Sequence, residues 1–352
     1  MDITPYLQLL RDKSGSDLFF TVGAPVKIKL EGSINSVGKT TLTSDLVVAA
    51  AYGIMNERQI AQFEADLECD FAIALPDKSA RFRVNVFRQR GEVGMVLRRI
   101  PAEIPEIEDL GLPGILRELI MHKRGLLLMV GATGSGKSTT LAAMINERNR
   151  SMAGHILTIE DPVEFSHPNL KSIVNQREVG VDTLSYRNAL KASLREAPDV
   201  ILIGEIRDRE TMEAALELCN TGHLAISTMH ANNANQAMER IINLFPQDLH
   251  KQLLMDLSLN LRSVISQRLV KGVDGKRVAA IEILVNTPHI ADLILKGELH
   301  ELKEAMEGSG TRGMQTFDMA LHSLFSEERI SLEEALSNAD SRTNLEARIN
   351  FG

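Results

Sequence analysis

The sequence predicts an α/β protein with a parallel sheet covered by helices on both faces, preceded by a smaller α+β domain. After residue 114, short apolar runs typical of strands alternate with helical patterns, which is the order that builds a parallel sheet. Residues 1–100 instead combine helices with closely spaced strand-like runs. A glycine-rich loop at 131–138 separates an apolar run from a helical stretch. At 352 residues the chain is long enough for two domains.

The first domain is predicted over residues 1–100. Apolar spacing and composition predict helices over 3–11, 44–55 and 57–64. Strand-like runs cover 17–22, 25–30, 69–75, 80–89 and 94–100, with a turn at Pro76, Asp77 and Lys78. Residues 101–113 are predicted to be a linker, because Pro101 and Pro105 disfavour helix and strand alike.

The second domain is predicted over residues 114–352. A helix over 114–122 precedes the apolar strand 125–130, which leads into the glycine-rich loop. Further strands are predicted over 155–159, 199–203, 223–228 and 278–285, and helices over 139–145, 186–196 and 209–220. From Thr287 onward the pattern is mostly helical, interrupted by a flexible break at 308–313. The end of the chain is polar, and we expect it to be disordered.

Composition excludes several functional classes. A net charge of −8 and a pI near 5.7 argue against a general nucleic-acid binder, and the absence of Trp argues against a base-stacking surface. Cys69 and Cys219 lie far apart, which predicts neither a disulfide framework nor a zinc ribbon and suits a reducing cytosol. The sequence carries neither an apolar run of about 18 residues nor a signal peptide, so any membrane role should be peripheral.

Residues 131–138 fit the phosphate-loop pattern G-x-x-x-x-G-K-[ST]. The alternative is a chance glycine-rich turn, but the flanking strand and helix are the context that the motif needs. Lys137 would reach the β- and γ-phosphates of a nucleotide, and Ser138 would put its hydroxyl on Mg²⁺. The predicted nucleotide-binding residues are Gly131, Ala132, Thr133, Gly134, Ser135, Gly136, Lys137, Ser138 and Thr139.

Acidic residues follow two of the predicted strands. Glu160, Asp161 and Glu164 come after one of them, and Glu205 comes after another. Ligands bind at the carboxyl ends of parallel strands, so Glu164 and Glu205 are candidates to orient a water for phosphoryl transfer. Gly204 stands where an aspartate is common, so Asp161 or Glu160 would assist the metal. The alternative for any one of these acids is a helix N-cap or a surface charge.

Arginines alternate along the predicted strand 80–89. Arg81 and Arg83 share one face because strand side chains alternate, and Arg98 and Arg99 follow on the next strand. The face is either simply solvated or able to reach a γ-phosphate held by a neighbouring subunit.

Two histidines, His223 and His230, flank the predicted strand 223–228. Their spacing of seven residues would point them to opposite faces of a straight strand. A lone histidine is more often a packed residue, but we interpret this pair as sensors of the γ-phosphate. No third ligand accompanies them, so a metal site is not predicted.

Together these segments resemble the secretion-type ATPases, and among them the type IV pilus retraction (twitching motility) ATPases of the PilT/PilU type. The resemblance runs from about residue 16 to about residue 316. The matching segments are GATGSGKSTTLAAM (131–144, Walker A), ILTIEDPVEF (156–165, acidic box), LREAPDVILIGEIRD (194–208, Walker B), TGHLAISTMHANNA (221–234, His box) and ARFRVNVF (80–87, arginine strand).

The resemblance implies a PAS-like N-terminal domain joined to a RecA-like ATPase domain, assembled as a ring of six. It implies that ATP and Mg²⁺ are bound at Lys137 and Ser138, with Asp161 near the metal. The implied catalytic residues are Glu205 as the catalytic carboxylate, Glu164 near the attacking water, His223 and His230 as the His box, and Arg81, Arg83 and Arg98 or Arg99 facing a neighbour's nucleotide.

The resemblance also indicates a subtype. The chain lacks a four-cysteine zinc module and a longer N-terminus, which favours retraction over extension or secretion. Asp292 lies near where the main retraction motor would carry an arginine, so the accessory, PilU-like motor is the better match. The implied partners are a sister retraction ATPase and the inner-membrane pilus platform protein, at the cytoplasmic face of that membrane and without nucleic acid. The alternatives are a nucleotide-regulated adaptor on a sister motor, and a RecA-like recombinase or helicase.

Overall fold

The computed structural model describes residues 1–30, 32–77, 79–100 and 103–351. Lys78 of the predicted turn, Pro101 and Ala102 of the predicted linker, and Gly352 lie outside these residues. Contacts divide the chain into two compact units, residues 1–103 with 164–166, and residues 104–163 with 167–352. Across the described residues, no helix is both long enough and apolar enough to cross a membrane.

The first unit is an antiparallel sheet with helices. Its strands lie in the order β3-β2-β1-β6-β5-β4, and each pair of neighbours is antiparallel. Phe82, Val84 and Val86 of β5 are buried in the core of this unit, whereas Arg83 is exposed. The described elements are α1 (Thr4–Asp12), β1 (Asp17–Phe20), β2 (Lys27–Leu30), β3 (Ser33–Ser36), α2 (Ser44–Tyr52), α3 (Glu57–Asp66), β4 (Glu68–Ala74), β5 (Arg81–Gln89) and β6 (Glu92–Ile100).

The second unit is built on a seven-stranded sheet with helices on both faces. Its described elements are α4 (Ile115–Ile120), β7 (Gly125–Val130), α5 (Lys137–Ser151), β8 (Gly154–Glu160), β9 (Ser172–Glu178), α6 (Tyr186–Ser193), β10 (Val200–Ile203), α7 (Arg209–Asn220), β11 (Leu224–Met229), α8 (Ala234–Asn243), α9 (His250–Asn260), β12 (Leu261–Lys271), β13 (Arg277–Val285), α10 (Pro288–Lys296), α11 (Leu302–Gly308), α12 (Phe317–Ser326), α13 (Leu332–Asn338) and α14 (Arg342–Phe351), with short 3-10 turns at Gln247–Leu249 and Leu299–Glu301.

Strand order in this sheet is β13-β12-β7-β11-β10-β8-β9. The neighbouring strands β12, β7, β11, β10, β8 and β9 are all parallel, and only β13 is antiparallel to its neighbour, β12, among the described strands of this sheet. The side chains of β7 alternate between two buried clusters, Leu126 and Leu128 on one face and Leu127 and Met129 on the other. A parallel sheet buried on both faces confirms the predicted α/β class.

Two segments differ from the sequence predictions. The expected linker contributes Ile107 and Leu112 to a buried cluster of the second unit, because apolar residues between its prolines pack against Leu116. The expected disorder at the end of the chain is replaced by α14, which places Leu345 in a buried cluster with α12. Leu345, together with the partly buried Ile349, docks this short helix against the cluster.

Strands β3, β9 and β12 were not predicted from the sequence, and neither were helices α8 and α9. The strand β12 lies between β7 and the edge strand β13. It is 11 residues long and contains the polar run Ser266, Gln267 and Arg268 between apolar residues, which interrupts the apolar pattern that marks a buried strand. The largest gap in the sequence prediction therefore falls next to the phosphate loop.

Candidate active site

The phosphate loop connects β7 to α5, as predicted, and its backbone requires glycine at two positions. Gly131 has a φ of 153° and Gly136 a φ of 87°, conformations that side chains disfavour. A Cβ on Gly131 would lie 2.6 Å from both the Gln267 carbonyl oxygen and Ser135 Oγ, and a Cβ on Gly136 would lie 2.7 Å from Gln267 Nε2. The loop therefore wraps tightly against β12, with no room for larger residues.

The open side of the loop suits a phosphate. Ala132, Thr133 and Gly134 are exposed. Lys137 Nζ donates to the carbonyl oxygens of Gly131 and Ala132 at 2.8 and 3.0 Å, so the ammonium lies over the loop. Ser135 Oγ is buried and has no hydrogen-bond partner among the described residues. Phosphate oxygens would accept from this hydroxyl and from Lys137, which is how the donors here fit a nucleotide.

Helix α5 begins at Lys137, so Ser138 and Thr139 lie in its first turn. That turn contains no acidic residue. The partial positive charge of the helix N-terminus is therefore not offset by a carboxylate of the same turn. This arrangement adds to the attraction for an anion at the loop.

Gln267 on β12 braces the loop from its buried side. Its Nε2 donates to the Ser135 carbonyl oxygen at 2.8 Å, and its Oε1 accepts from Thr140 Oγ1 at 2.7 Å. Gln267 is 3% exposed and Thr140 is 1% exposed. Sequence reasoning missed Gln267 together with its strand; the available signal was an amide side chain within an otherwise strand-like run.

Glu205 lies two residues beyond β10, and both of its carboxylate oxygens are engaged. Oε2 contacts the Arg207 guanidinium at 2.8 Å, and Oε1 lies 3.2 Å from His230 Nε2. The Glu205 side chain is 15% exposed, against 67% for Arg207 and 41% for His230. The hydrogen bond with Glu205 raises the pKa of Arg207. The structure thus joins Glu205 and His230, two of the predicted site residues, at the end of one strand pair.

Gly204 is glycine for a steric reason. A Cβ at this position would lie 2.5 Å from Tyr186 Oη and 3.2 Å from the Ile159 carbonyl oxygen. Tyr186 is largely buried, and this burial raises the pKa of its hydroxyl. An aspartate therefore cannot replace Gly204 while Tyr186 keeps this position, which accounts for the departure from the common strand-end pattern.

Hydroxyls of β11 hold the end of β10 in place. Ser227 Oγ donates to the Ile203 carbonyl oxygen at 2.8 Å, and Thr228 Oγ1 donates to the Gly204 carbonyl oxygen at 2.6 Å. The Ile206 N–H in turn donates to the Thr228 carbonyl oxygen at 3.0 Å. Because His230 follows Thr228 by two residues, these bonds also fix its approach to Glu205.

His223 does not join this group. It precedes β11, whose first residue, Leu224, pairs with Gly125 at the start of β7. His223 Nδ1 lies 3.1 Å from the Leu218 carbonyl oxygen and 3.0 Å from Thr221 Oγ1. The six residues of β11 span about 20 Å at about 3.3 Å each. The two histidines flank one strand as predicted, but this places them at opposite edges of the sheet.

Glu160 and Asp161, the acids at the end of β8, lie in different surroundings. In the β8–β10 register Ile159 pairs with Ile203, which brings Asp161 level with Glu205. Asp161, Tyr186, Glu205 and Arg207 line one open cleft of about 820 Å³ that extends between α6 and α7. Glu160 is instead tied within the sheet, since its Oε1 accepts from Thr158 Oγ1 at 2.6 Å and from Gln176 Nε2 at 3.1 Å. Asp161 therefore shares the cleft with Glu205, whereas Glu160 bonds within the sheet.

Glu164 is exposed, and its backbone contacts assign it to the first unit, with residues 164–166. Its proposed proximity to an attacking water stays a prediction.

In the first unit, Arg83 and Arg98 are direct cross-strand neighbours. Like charges in such a pair repel, and each arginine has an acid nearby. Arg98 Nε lies 2.7 Å from Oδ1 of the buried Asp17, and Arg83 Nε lies 4.0 Å from Asp70 Oδ1. Arg81 stands two residues from Arg83 on the same face of β5. Arg98 thus has a structural role in its own unit, because it neutralises a buried carboxylate.

Comparison with known proteins identifies the family. Residues 3–319 match the family model described as "Type II/IV secretion system protein". The chain belongs to this family.

Relatives within the family include pilus ATPases. The chain is 53% identical over 353 residues to the type IV pilus ATPase PilU of Pseudomonas aeruginosa, covering 100% of this chain and 92% of the relative. It is 43% identical to PilT, the type IV pilus retraction ATPase of the same organism, covering 96% of this chain and 98% of the relative. These matches confirm the predicted PilT/PilU resemblance.

A solved structure shares the fold. The crystal structure of the pilus retraction motor PilT with bound ADP superposes with a TM-score of 0.92 at 40% identity, covering 98% of this chain and 99% of that one. This match confirms the predicted fold class, a P-loop ATPase fold with a smaller N-terminal domain.

Proposed function

We propose that this protein is an ATPase motor that drives retraction of type IV pili, and so twitching motility, as an accessory motor of the PilU kind. The observation that carries the proposal is that the phosphate loop and Glu205 follow strands whose carboxyl ends lie at one edge of the sheet. β7 and β10 are separated by β11 alone, so their backbones lie about 10 Å apart at two strand spacings of about 4.8 Å. This spacing supports a shared site in which a γ-phosphate and one water would lie between the loop and Glu205.

Each residue of this edge has a proposed task in ATP hydrolysis. The loop N–H groups and Lys137 bind the phosphates, and Ser138 and Asp161 would hold Mg²⁺ directly or through water. That ion would neutralise charge on the phosphate oxygens. Glu205 would orient the attacking water and accept its proton. To do so, one Glu205 oxygen must exchange Arg207 or His230 for the water.

The arginines of the first unit are proposed to act on the nucleotide of a neighbouring copy, within a ring of six. Phosphoryl transfer gains from an arginine supplied across an interface, by about 10³–10⁵ in rate. The exposed position of Arg83 supports this proposal, since its weak contact with Asp70 leaves the guanidinium available. Arg98 is less available, because moving it would leave the buried Asp17 carboxylate without its ion-pair partner.

Two observations support the accessory role. Identity to PilU exceeds identity to PilT, 53% against 43%. Asp292 pairs with Lys296 at 2.6 Å on the exposed side of α10, where the resemblance would have an arginine in the main motor. The proposed partners are a sister retraction ATPase and the inner-membrane pilus platform protein, with the ring lying peripherally on the cytoplasmic face of that membrane.

The test has a biochemical and a cellular part. The purified protein should hydrolyse ATP, and Lys137→Ala should abolish phosphate release because the ammonium no longer balances phosphate charge. In cells, deletion of the gene should impair twitching, and Lys137→Ala should fail to restore it. If the purified wild type binds ATP without hydrolysing it, yet Lys137→Ala still restores twitching, the protein acts as an adaptor and the motor proposal is wrong. Turnover that requires DNA would indicate a recombinase or helicase.

A further inference from the structure

We infer that Gln267 is a positioning residue that sets the nucleotide-binding conformation of the phosphate loop. This inference rests on the proposed function, since it concerns the same nucleotide site. Gln267 follows Ser266, which pairs with Val130 at the end of β7. Its side chain therefore lies beside the first residue of the loop, on the side away from solvent.

The two bonds of Gln267 fix the orientation of its amide. Nε2 donates to the Ser135 carbonyl oxygen, and Oε1 accepts from Thr140 Oγ1. A flipped amide would set its oxygen against the Ser135 carbonyl oxygen, with no proton between them. The brace is therefore directional, and it joins the loop to the first turn of α5.

The bond to Ser135 controls where the next N–H points. In a planar trans peptide the C=O and the following N–H point in opposite directions. When Gln267 holds the Ser135 carbonyl toward β12, the Gly136 N–H must point away from β12, into the loop. That N–H is one of the donors that a phosphate needs. Because Gly136 lacks a Cβ, this peptide would otherwise rotate easily.

A buried carbonyl without a donor is also costly, by about 1–3 kcal/mol. If Gln267 were lost, the cheapest remedy is rotation of the peptide between Ser135 and Gly136, which turns the carbonyl toward the cradle. A carbonyl in the cradle repels phosphate. Nucleotide affinity should therefore depend on Gln267, although Gln267 never touches the nucleotide.

The substitution Gln267→Glu tests this idea through pH. A protonated carboxyl reproduces both bonds, with its O–H donating to the Ser135 carbonyl and its C=O accepting from Thr140. An ionised carboxylate only accepts, so it repels the Ser135 carbonyl. Burial raises the pKa of an introduced carboxyl. We expect ADP affinity within about threefold of wild type at pH 5.5 and about tenfold weaker at pH 8.5, which equals about 1.4 kcal/mol.

The measurement is calorimetric titration of the full chain with ADP and Mg²⁺ across this pH range. Gln267→Met removes both bonds at every pH, so its loss of affinity relative to wild type should not change with pH. The matched control is Asn149→Asp at the other end of α5. Asn149 is fully buried, and its Nδ2 donates to the Pro168 carbonyl oxygen at 2.7 Å. This control should lower the thermal stability at high pH while leaving ADP affinity unchanged.

The possible outcomes separate this inference from the proposed function. A wild type that binds no ADP would remove the nucleotide site itself. A wild type that binds ADP, together with a Gln267→Glu protein whose affinity follows the wild-type pH profile, would overturn the positioning role. Equal losses of affinity in Gln267→Glu and Asn149→Asp would also overturn it, because the effect would then be general destabilisation.

Discussion

Two charged regions of the molecule differ in how the fold positions their side chains. One is the carboxyl edge of the second unit's sheet, and the other is the arginine face of the first unit, formed by Arg81 and Arg83 on β5. At the carboxyl edge, Lys137, Glu205 and His230 come from the separate segments that follow β7, β10 and β11. On the arginine face, Arg81 and Arg83 project from one strand, on either side of the buried Phe82. In a parallel sheet, the segments that follow the strands bring functional side chains together at the carboxyl edge, whichever face of the sheet each side chain lies on. By contrast, the side chains on one face of a strand all project in the same direction, toward solvent or a partner.

The residues of the carboxyl edge all belong to one chain, whereas the proposed role of the arginine face requires a second copy. The following variants separate these two dependences.

The largest effect is expected for Glu205→Gln. The amide keeps the size of the side chain but cannot accept a proton from water, so turnover should fall about 10³-fold, within the range of general base catalysis. Phosphate release at saturating ATP measures it. Glu213→Gln is the control, since Glu213 is an exposed acid paired with Arg209 on α7. Turnover within about threefold of wild type would remove Glu205 from the chemistry.

Arg83→Ala should lower turnover about 10²-fold if the arginine acts on a neighbour. The decisive measurement mixes Arg83→Ala subunits with Lys137→Ala subunits. The first kind has an intact nucleotide edge and the second an intact arginine face, so mixed rings should hydrolyse ATP faster than either variant alone. Asn85→Ala, on the same face of β5, is the control. Mixtures no more active than their separate components would place Arg83 outside the reaction.

A smaller effect is expected for the two histidines. His230→Ala removes a contact to Glu205 and should lower turnover about tenfold, the equivalent of about 1.4 kcal/mol. His223→Ala should change turnover less than about threefold and lower the unfolding free energy by about 1 kcal/mol, since its bonds are to Leu218 and Thr221. Steady-state kinetics and urea unfolding measure both. A larger kinetic effect at His223 would contradict the assignment of the two histidines to opposite edges.

The smallest effect concerns a buried acid near the carboxyl edge. Glu282 on β13 accepts from the Ala234 N–H at 2.8 Å and from Ser266 Oγ at 3.0 Å, where α8 begins after His230. Burial raises the pKa of this carboxyl above its ordinary value of 4.5. The folded state therefore holds the proton more tightly than the unfolded state, and the charge costs stability as pH rises above 4.5.

Glu282→Gln keeps an acceptor and does not titrate. Its unfolding free energy relative to wild type should therefore increase between pH 4.5 and pH 8. Urea unfolding across this range measures the difference between the two proteins. A difference that is independent of pH, or that favours wild type increasingly at high pH, would show that the buried charge is compensated.

The sequence predicted the residues at the carboxyl edge better than the distant residues that pack against that edge. Strands β7, β8, β10 and β11 are short apolar runs, so their ends and the acids beyond them could be located from the pattern alone. The phosphate loop was found because its spacing follows from how backbone N–H groups surround a phosphate. These features depend on local sequence.

Features that depend on distant partners were missed or left open. Gln267 lies in a strand whose polar run masks its burial, and its partners Ser135 and Thr140 are 132 and 127 residues away. Gly204 appears as a departure from a motif until Tyr186 is seen beside it. The spacing of His223 and His230 fixes their separation along a strand but not which of them meets Glu205. Long-range packing decides each of these cases.

We propose that the phosphate loop and Glu205 serve one nucleotide. The most direct test is a crystal structure of the protein with a non-hydrolysable ATP analogue and Mg²⁺. We expect Lys137 Nζ within about 3 Å of a γ-phosphate oxygen, and the Glu205 carboxylate about 3 Å from a water that faces the γ-phosphorus. A nucleotide bound away from the loop would contradict this proposal. So would a Glu205 still paired with both Arg207 and His230, with no water between it and the γ-phosphate.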